Sequence, residues 1–121
     1  MVIKLNKSNP RMSSLIDALK SASRTFDAPV WLEVARRLSA PTRRYAEVNV
    51  SRINRHTTEG DVIVVPGVVL GAGSLGHSVR VAALRFSQAA AEKIREAKGE
   101  CMSIEQMLES EPEGKNVRIF R

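Results

Sequence analysis

Residues 62–86, VIVVPGVVLGAGSLGHSVRVAALRF, decide the fold class of this chain. The β-branched run Val62–Val65 predicts a buried strand that ends at Pro66, because proline cannot donate to a sheet ladder. Val68–Leu70 predicts a second short strand, and Val79–Phe86 predicts a third. One proline and four glycines interrupt the uncharged part of this segment, so we expect strands and loops here rather than a membrane-spanning helix.

Two amphipathic helices precede these strands. Apolar residues from Met12 to Ala22 recur at helical spacing and predict a helix from about Pro10 to Arg24. Pro29–Leu38 repeats the pattern and predicts a second helix, in which Trp31 is expected to belong to the core. A short strand is predicted over Ala46–Val50.

Capping residues mark the shorter helices of the second half. Ser51 is expected to cap a one- or two-turn helix that extends to His56, and Ser87 to cap a helix over Ala89–Lys98. Ser103 and Gln106 have the spacing of a capping box and predict a last short helix, which ends near Ser110. A closing strand is predicted over Val117–Phe120.

These elements predict one mixed α/β domain in a chain of 121 residues and 13.3 kDa. Residues 1–10 are polar and basic and are expected to form an extended arm. Residues 11–121 are expected to form a single globular domain, with a helical basic part at 11–45 and a mixed α/β core at 46–121.

The net charge of +6 lies entirely in the first half of the chain. Residues 1–60 contain eleven Lys/Arg and five Asp/Glu, whereas residues 61–121 contain eight of each. Arginine outnumbers lysine by 13 to 6, and its planar guanidinium binds phosphate with two hydrogen bonds. A polyanionic partner, and nucleic acid in particular, is therefore expected.

The basic side chains are distributed along the chain with few aromatic residues between them, which favours phosphate contacts over base stacking. Arg52 and Arg55 are three apart and share a helix face. The adjacent Arg36 and Arg37 are also basic, but one of such a pair can face away from a partner. The other basic candidates for nucleic-acid contact are Lys4, Lys7, Arg11, Arg24, Arg43 and Arg44.

Gly71–Gly76, GAGSLG, matches the dinucleotide-binding pattern G-x-G-x-x-G. That chemistry needs a helix after the third glycine and an acidic residue about 20 positions later. Here the loop leads into the predicted strand Val79–Phe86, so a dinucleotide site is not favoured. Two other interpretations stay open: a tight turn between closely packed strands, or a loop whose N–H groups approach an RNA phosphate.

The remaining reactive residues do not form a recognisable site. The spacings of His56, His77 and Cys101 do not resemble a zinc site, and no serine has the setting of a nucleophile elbow. Cys101 is expected to be a small buried or half-buried apolar residue in a reducing compartment. The seven acidic residues between 92 and 113 are expected to form a solvated face rather than a catalytic pair. We therefore expect no enzyme activity, cofactor, metal or small-molecule substrate.

Several segments, taken in order along nearly the whole chain, resemble one protein family. These are SNPRMSSLI from Ser8, the pair Val30-Trp31, AEVNVSRI from Ala46, VPGVVLGAG from Val65, and PEG from Pro112 followed by VRI from Val117. The family is large-subunit ribosomal protein eighteen of the archaeal and eukaryotic type, a relative of bacterial large-subunit ribosomal protein fifteen. The compact length is similar to that of archaeal members.

The resemblance implies a structural protein of the cytoplasmic ribosome, without catalysis or membrane contact. It implies an irregular superhelix of β-β-α turns as the core, with the basic N-terminal part on ribosomal RNA and other large-subunit proteins as neighbours. The RNA-facing residues it implies are Lys4, Lys7, Asn9, Arg11, Arg43, Arg44 and Arg52. The alternative function is a small basic DNA-binding regulator built on the first two helices, although the interval between them is longer than helix-turn-helix motifs prefer.

Overall fold

A computed structural model describes residues 9–120, and two helices come first. Helix α1 spans Pro10–Phe26 and α2 spans Pro29–Leu38, the latter as predicted. Helix α1 continues beyond Arg24 and ends at Asp27, whose φ of 51° is left-handed. Only two residues therefore separate the helices, and the expected long interval was wrong. Because α1 ends later than its apolar periodicity indicated, the two helices form a tight corner.

The rest of the chain alternates strands with helices, and the predicted mixed α/β class is confirmed. The elements are a 3₁₀ turn at Thr42–Arg44, β1 Ala46–Asn49, α3 Val50–His56, β2 Asp61–Leu70, β3 Val79–Phe86, α4 Gln88–Glu96, β4 Glu100–Ser103, α5 Ile104–Ser110 and β5 Val117–Ile119.

All strand pairs in the sheet are parallel, and β2 lies at its centre. Strand β3 pairs along one edge of β2, and β4 pairs with the far side of β3. On the other edge of β2, β5 pairs with Val62–Val64 and β1 pairs with Gly67–Leu70. Strands β5 and β1 therefore lie end to end along the same edge.

The predicted break at Pro66 was wrong, because β2 runs without interruption from Asp61 to Leu70. Pro66 lies between the residues that pair with β5 and those that pair with β1, so its missing N–H costs no hydrogen bond on that edge. On the opposite edge the pairing with β3 is irregular between Val65 and Val68. The strand accommodates proline at the one point where neither ladder needs its donor.

One further local prediction was wrong, and one strand was not predicted. The short helix α3 begins at Val50 rather than after Ser51, and no side chain caps it. Ser51, the predicted cap, and Asn49 contact the glycine loop instead, since Asn49 Oδ1 accepts the N–H of Ala72 at 3.0 Å and Ser51 N–H donates to Ala72 O at 3.1 Å. Strand β4 was missed, because its four residues ECMS carry little β signal and are ordered by pairing with β3.

Helices cover both faces of the sheet and produce two apolar cores. Helices α1, α2 and α5 pack on one face against Val64 and Ala82, with Trp31 fully buried as predicted. Helices α3 and α4 cover the other face against Ile63, Val65 and Val81. Alternate residues of β2 and β3 thus serve the two cores, as expected for a sheet buried on both sides. Between residues 9 and 120, no helix is long and apolar enough to span a membrane.

Candidate nucleic-acid interface

The first predicted contact residues lie at the start of α1 and hold internal hydrogen bonds. Asn9 Oδ1 caps α1 by accepting the N–H of Arg11 at 3.0 Å. The guanidinium of Arg11 reaches across to α5, where Nε lies 2.8 Å from Glu105 Oε2 and Nη2 lies 3.1 Å from Oε1. This bidentate hydrogen bond raises the pKa of Arg11 and lowers the pKa of Glu105. Lys4 and Lys7 lie outside the described residues.

Arg24 lies in the last turn of α1, where a positive charge is favourable beside the C-terminal end of the helix dipole. Its side chain is exposed and makes no ion pair with any residue between 9 and 120. Helix α1 covers the sheet face opposite to α3. The structure therefore does not bring Arg24 together with the arginines of α3.

Arg43 and Arg44 form the 3₁₀ turn that leads into β1. The N–H of Arg44 donates to Pro41 O at 2.8 Å, and Tyr45 Oη donates to Leu38 O at 2.7 Å, which fixes the turn to the end of α2. Both arginine side chains are exposed. The turn thus presents two adjacent guanidinium groups from an anchored backbone.

Arg52 and Arg55 lie on α3, whose buried residues Val50 and Ile53 face the second core. Both arginines are exposed and, like Arg43 and Arg44, hold no ion pair in the part of the chain that the structure describes. Arg52 lies near Arg118 of β5, because both guanidinium groups approach the ring of Phe120.

Arg118 is a candidate that sequence reasoning missed. Its Nη2 donates to His56 O at 3.0 Å and its Nη1 lies 3.1 Å from Asp61 Oδ2, yet its side chain remains 54% exposed. The sequence signal that could have identified Arg118 is the alternation of side chains in β5. Val117 and Ile119 turn inward, and Arg118 between them turns outward.

These residues border one side of the sheet, and we name them the basic edge. It consists of Arg43 and Arg44 before β1, Arg52 and Arg55 on α3, and Arg118 on β5. The grouping follows from topology, because β1 and β5 share one edge of β2 and α3 connects β1 to β2. All five guanidinium groups are exposed, and only that of Arg118 has an ion-pair partner among residues 9–120. Exposed positive charge of this kind at one edge suits binding to a polyanion.

The second half of the chain neutralises more of its charge internally. Arg80 on β3 bridges Glu100 at 3.0 Å and Glu111 at 3.3 Å. Glu100, Glu105 and Glu111 therefore form ion pairs with arginines of the same chain. They are three of the seven acidic residues expected to form a solvated face. The exposed Arg85 and Arg95 of this half have no ion pair within residues 9–120 and serve as reference positions.

The Gly71–Gly76 loop leads into β3, as predicted, and not into a helix. Lys93 Nζ donates to the carbonyl oxygens of Gly71 and Gly73, both at 2.6 Å, and Asn54 Oδ1 accepts the N–H of Gly76 at 3.0 Å. Gly73 has a φ of 91°, and an added Cβ there would overlap Ser51. These contacts favour the interpretation of a tightly packed turn.

The other reactive residues have structural partners. His77 Nε2 lies 2.7 Å from Oγ1 of the buried Thr57, whose hydroxyl donates to Ile53 O. Cys101 is half-buried, as predicted, and burial raises the pKa of its thiol. Residues 9–120 contain no group of three or more His, Cys, Asp or Glu side chains that could hold a metal ion.

Comparison with known proteins finds one family over almost the whole chain. The family model described as ribosomal protein 60S L18 and 50S L18e matches residues 3–121. Three similar proteins are named large ribosomal subunit protein eL18. The protein of Methanoregula boonei is 55% identical over 97% of both chains, and that of Methanosphaerula palustris is 53% identical over 100% of both. That of Archaeoglobus fulgidus is 53% identical over 96% of this chain and 99% of its own.

Proposed function

The chain belongs to the family of ribosomal proteins 60S L18 and 50S L18e, and we propose that it is a structural constituent of the large ribosomal subunit that stabilises folded ribosomal RNA. It acts in the cytoplasm, on the ribosome, and it catalyses no reaction. Its arginines and lysines bind RNA phosphates, and other large-subunit proteins are its neighbours.

Four unpaired arginines of the basic edge carry this proposal. Arg43, Arg44, Arg52 and Arg55 are exposed and make no ion pair among residues 9–120. A guanidinium already bound to a carboxylate must give up that partner before it can bind phosphate. These four arginines have no ion pair to break, so they are available to RNA.

Shape and charge, rather than base identity, are expected to guide the binding. The chain has few aromatic residues, and Trp31 is fully buried with Nε1 donating to Pro112 O at 2.9 Å. Stacking on exposed rings is therefore a minor source of affinity. Each phosphate that an arginine neutralises releases counterions, so binding should weaken as salt rises.

The experiment measures binding of the full chain to large-subunit ribosomal RNA across a series of salt concentrations. In the wild-type protein the logarithm of the association constant should fall linearly with the logarithm of salt. The double variant Arg43→Ala/Arg44→Ala should bind more weakly, with a slope shallower by about 1 to 2 units, since each lost phosphate contact removes roughly 0.7–0.9.

The matched control is Arg85→Ala/Arg95→Ala, which removes the same charge from exposed positions outside the basic edge. This double variant should keep the wild-type slope. Equal slope changes in the two variants would show that net charge alone drives binding and would contradict the proposed interface.

Competition between ribosomal RNA and duplex DNA tests the DNA-binding regulator. Helices α1 and α2 bury their apolar faces in the first core, and Ala28 in the connection between them is also buried. We expect ribosomal RNA to displace DNA from the full chain. Preference for duplex DNA would contradict the ribosomal proposal and support a regulator.

A further inference from the structure

The side chains of Arg52, His56 and Arg118 surround the ring of Phe120, where α3 meets the end of β5. The guanidinium carbon of Arg52 lies 5.9 Å from the centre of the phenyl ring, and that of Arg118 lies 6.0 Å from it. The imidazole of His56 lies 6.3 Å away, tilted by 57°. Phe120 is only 7% exposed, so its ring underlies these groups and offers no free face for stacking.

The same residues line a surface recess of about 360 Å³, together with Ile119. This volume lies at the lower end of the range for small-molecule sites. Arg118 is held in place by Asp61 at 3.1 Å and by the carbonyl of His56 at 3.0 Å. One wall of the recess is therefore fixed before any ligand binds.

The recess keeps uncompensated positive charge. Asp61 balances Arg118, whereas Arg52 makes no ion pair with any described residue. A guanidinium has five N–H donors and no acceptor, and Arg118 uses two of its nitrogens for Asp61 and His56. Both arginines line the recess and keep N–H groups that these hydrogen bonds do not use, so a monoanion with several acceptor oxygens would complete it.

We propose that this recess binds a single phosphate group of ribosomal RNA between the guanidinium groups of Arg52 and Arg118. The proposal rests on the proposed function and adds Arg118 and the support from Phe120, which the sequence patterns did not reveal. A phosphodiester fits better than a base, because Phe120 is buried and the guanidinium groups of Arg52 and Arg118 can only donate hydrogen bonds.

The first experiment follows the arginine Nε–H resonances of the full chain by NMR during titration with dimethyl phosphate, a monoanionic diester. Saturable shifts are expected at Arg52 and Arg118, and none at Arg95. Neutral trimethyl phosphate should leave all three unchanged. In the Arg52→Gln variant the response of Arg118 should weaken. Equal, non-saturating shifts at every arginine, or none, would overturn the site.

The second experiment separates RNA from free phosphate as the source of the anion. With large-subunit ribosomal RNA, Arg52→Gln should make the salt slope shallower by about 0.7–0.9, the contribution of one phosphate. Arg52→Lys keeps the charge and should keep the slope, and Arg95→Gln is the control at an exposed position elsewhere. Dimethyl phosphate shifts without a slope change would mean that the recess binds free phosphate, which overturns the assignment to RNA.

Failure of this inference and of the proposed function are distinguishable. If the wild-type chain binds ribosomal RNA and depends on Arg43 and Arg44, but Arg52→Gln changes neither the slope nor the Arg118 resonance, only the recess is refuted. If the wild-type chain does not bind ribosomal RNA, the proposed function is refuted, and the assignment of the recess to RNA with it.

Discussion

Arg11 at the start of α1 and Glu105 in α5 are 94 positions apart in sequence and form a bidentate ion pair, with Nε 2.8 Å from Oε2 and Nη2 3.1 Å from Oε1. The pair fastens the first helix to the last one on the same face of the sheet. Arg11 therefore has an intramolecular partner, as Arg118 does, unlike the other four arginines of the basic edge. Any RNA phosphate at this position must share the guanidinium with Glu105.

The titration of Glu105 should depend on Arg11. The hydrogen bond from Arg11 lowers the pKa of Glu105 in the folded state, so its stabilising effect is present above the unfolded-state pKa and is lost as pH falls through the folded-state pKa. In Arg11→Gln the Glu105 carboxyl should titrate at higher pH by NMR. Because both side chains are more than 40% exposed, the expected loss of stability is at most about 1 kcal/mol.

A control for this titration is Arg36→Gln, which breaks a different surface pair, with Glu33 at 2.9 Å. It should leave the titration of Glu105 unchanged. If Glu105 titrated identically in Arg11→Gln and wild type, the ion pair would not exist in solution.

Replacing Trp31 by Phe should remove one partly buried hydrogen bond. The indole Nε1 donates to Pro112 O at 2.9 Å and joins α2 to the turn before β5. The variant leaves that carbonyl without its donor, and we expect a loss of about 1–3 kcal/mol in the free energy of unfolding. Urea denaturation measures the change. The exposed Leu32→Ala should change stability by about 0.5 kcal/mol or less. Equal losses would contradict the importance of Trp31.

Gly67→Ala should disturb the pairing of β1 with β2. A Cβ at Gly67 would overlap the backbone carbonyl of Ala46, two residues after the Arg43–Arg44 turn. We expect a loss of at least about 2 kcal/mol in stability, because backbone cannot move aside as a flexible side chain can. RNA affinity should fall as well, since the turn before β1 would shift.

The matched variant is Gly76→Ala, whose added Cβ would find its nearest neighbour, Asn54 Oδ1, at 3.8 Å. It should change stability by no more than about 0.5 kcal/mol. Thermal unfolding of the two variants gives the comparison, and a Gly67→Ala protein as stable as Gly76→Ala would refute the close approach.

Lys93→Met should loosen the glycine loop. Lys93 Nζ donates to Gly71 O and Gly73 O, both at 2.6 Å, and methionine keeps the apolar length without these charge-assisted bonds. We expect a loss of about 1–3 kcal/mol and faster amide hydrogen exchange across Gly71–Gly76. The exposed Lys98→Met serves as control. Unchanged exchange in Lys93→Met would show that other contacts hold the loop.

Local sequence signals predicted most helices well, because their determinants lie within a few residues. Pro29–Leu38 follows from apolar periodicity and its first proline. The hydroxyl of Ser87 accepts the N–H of Ala90, and Ser103 and Gln106 form the capping box that their spacing predicted. The excess charge of the first half and the resemblance to the ribosomal family were also evident without coordinates.

Only the tertiary structure decided how these elements meet. Pro66 ended a strand by local rules, yet β2 continues through it because its partners change at that residue. Strand β4 exists because β3 offers it an edge. Ion pairing also depends on residues distant in sequence. Arg11 pairs with Glu105 and Arg118 pairs with Asp61 only in the folded chain.

The sequence by itself thus determined the helices, the charge and the family of this protein. The parallel pairing of its strands determined the continuity of β2, the basic edge and the recess at Phe120. The physical reason is the distance in sequence over which each interaction acts. Helix periodicity and caps depend on residues within one or two turns, whereas Arg52 and Arg118 approach the ring of Phe120 only after β5 has paired with β2.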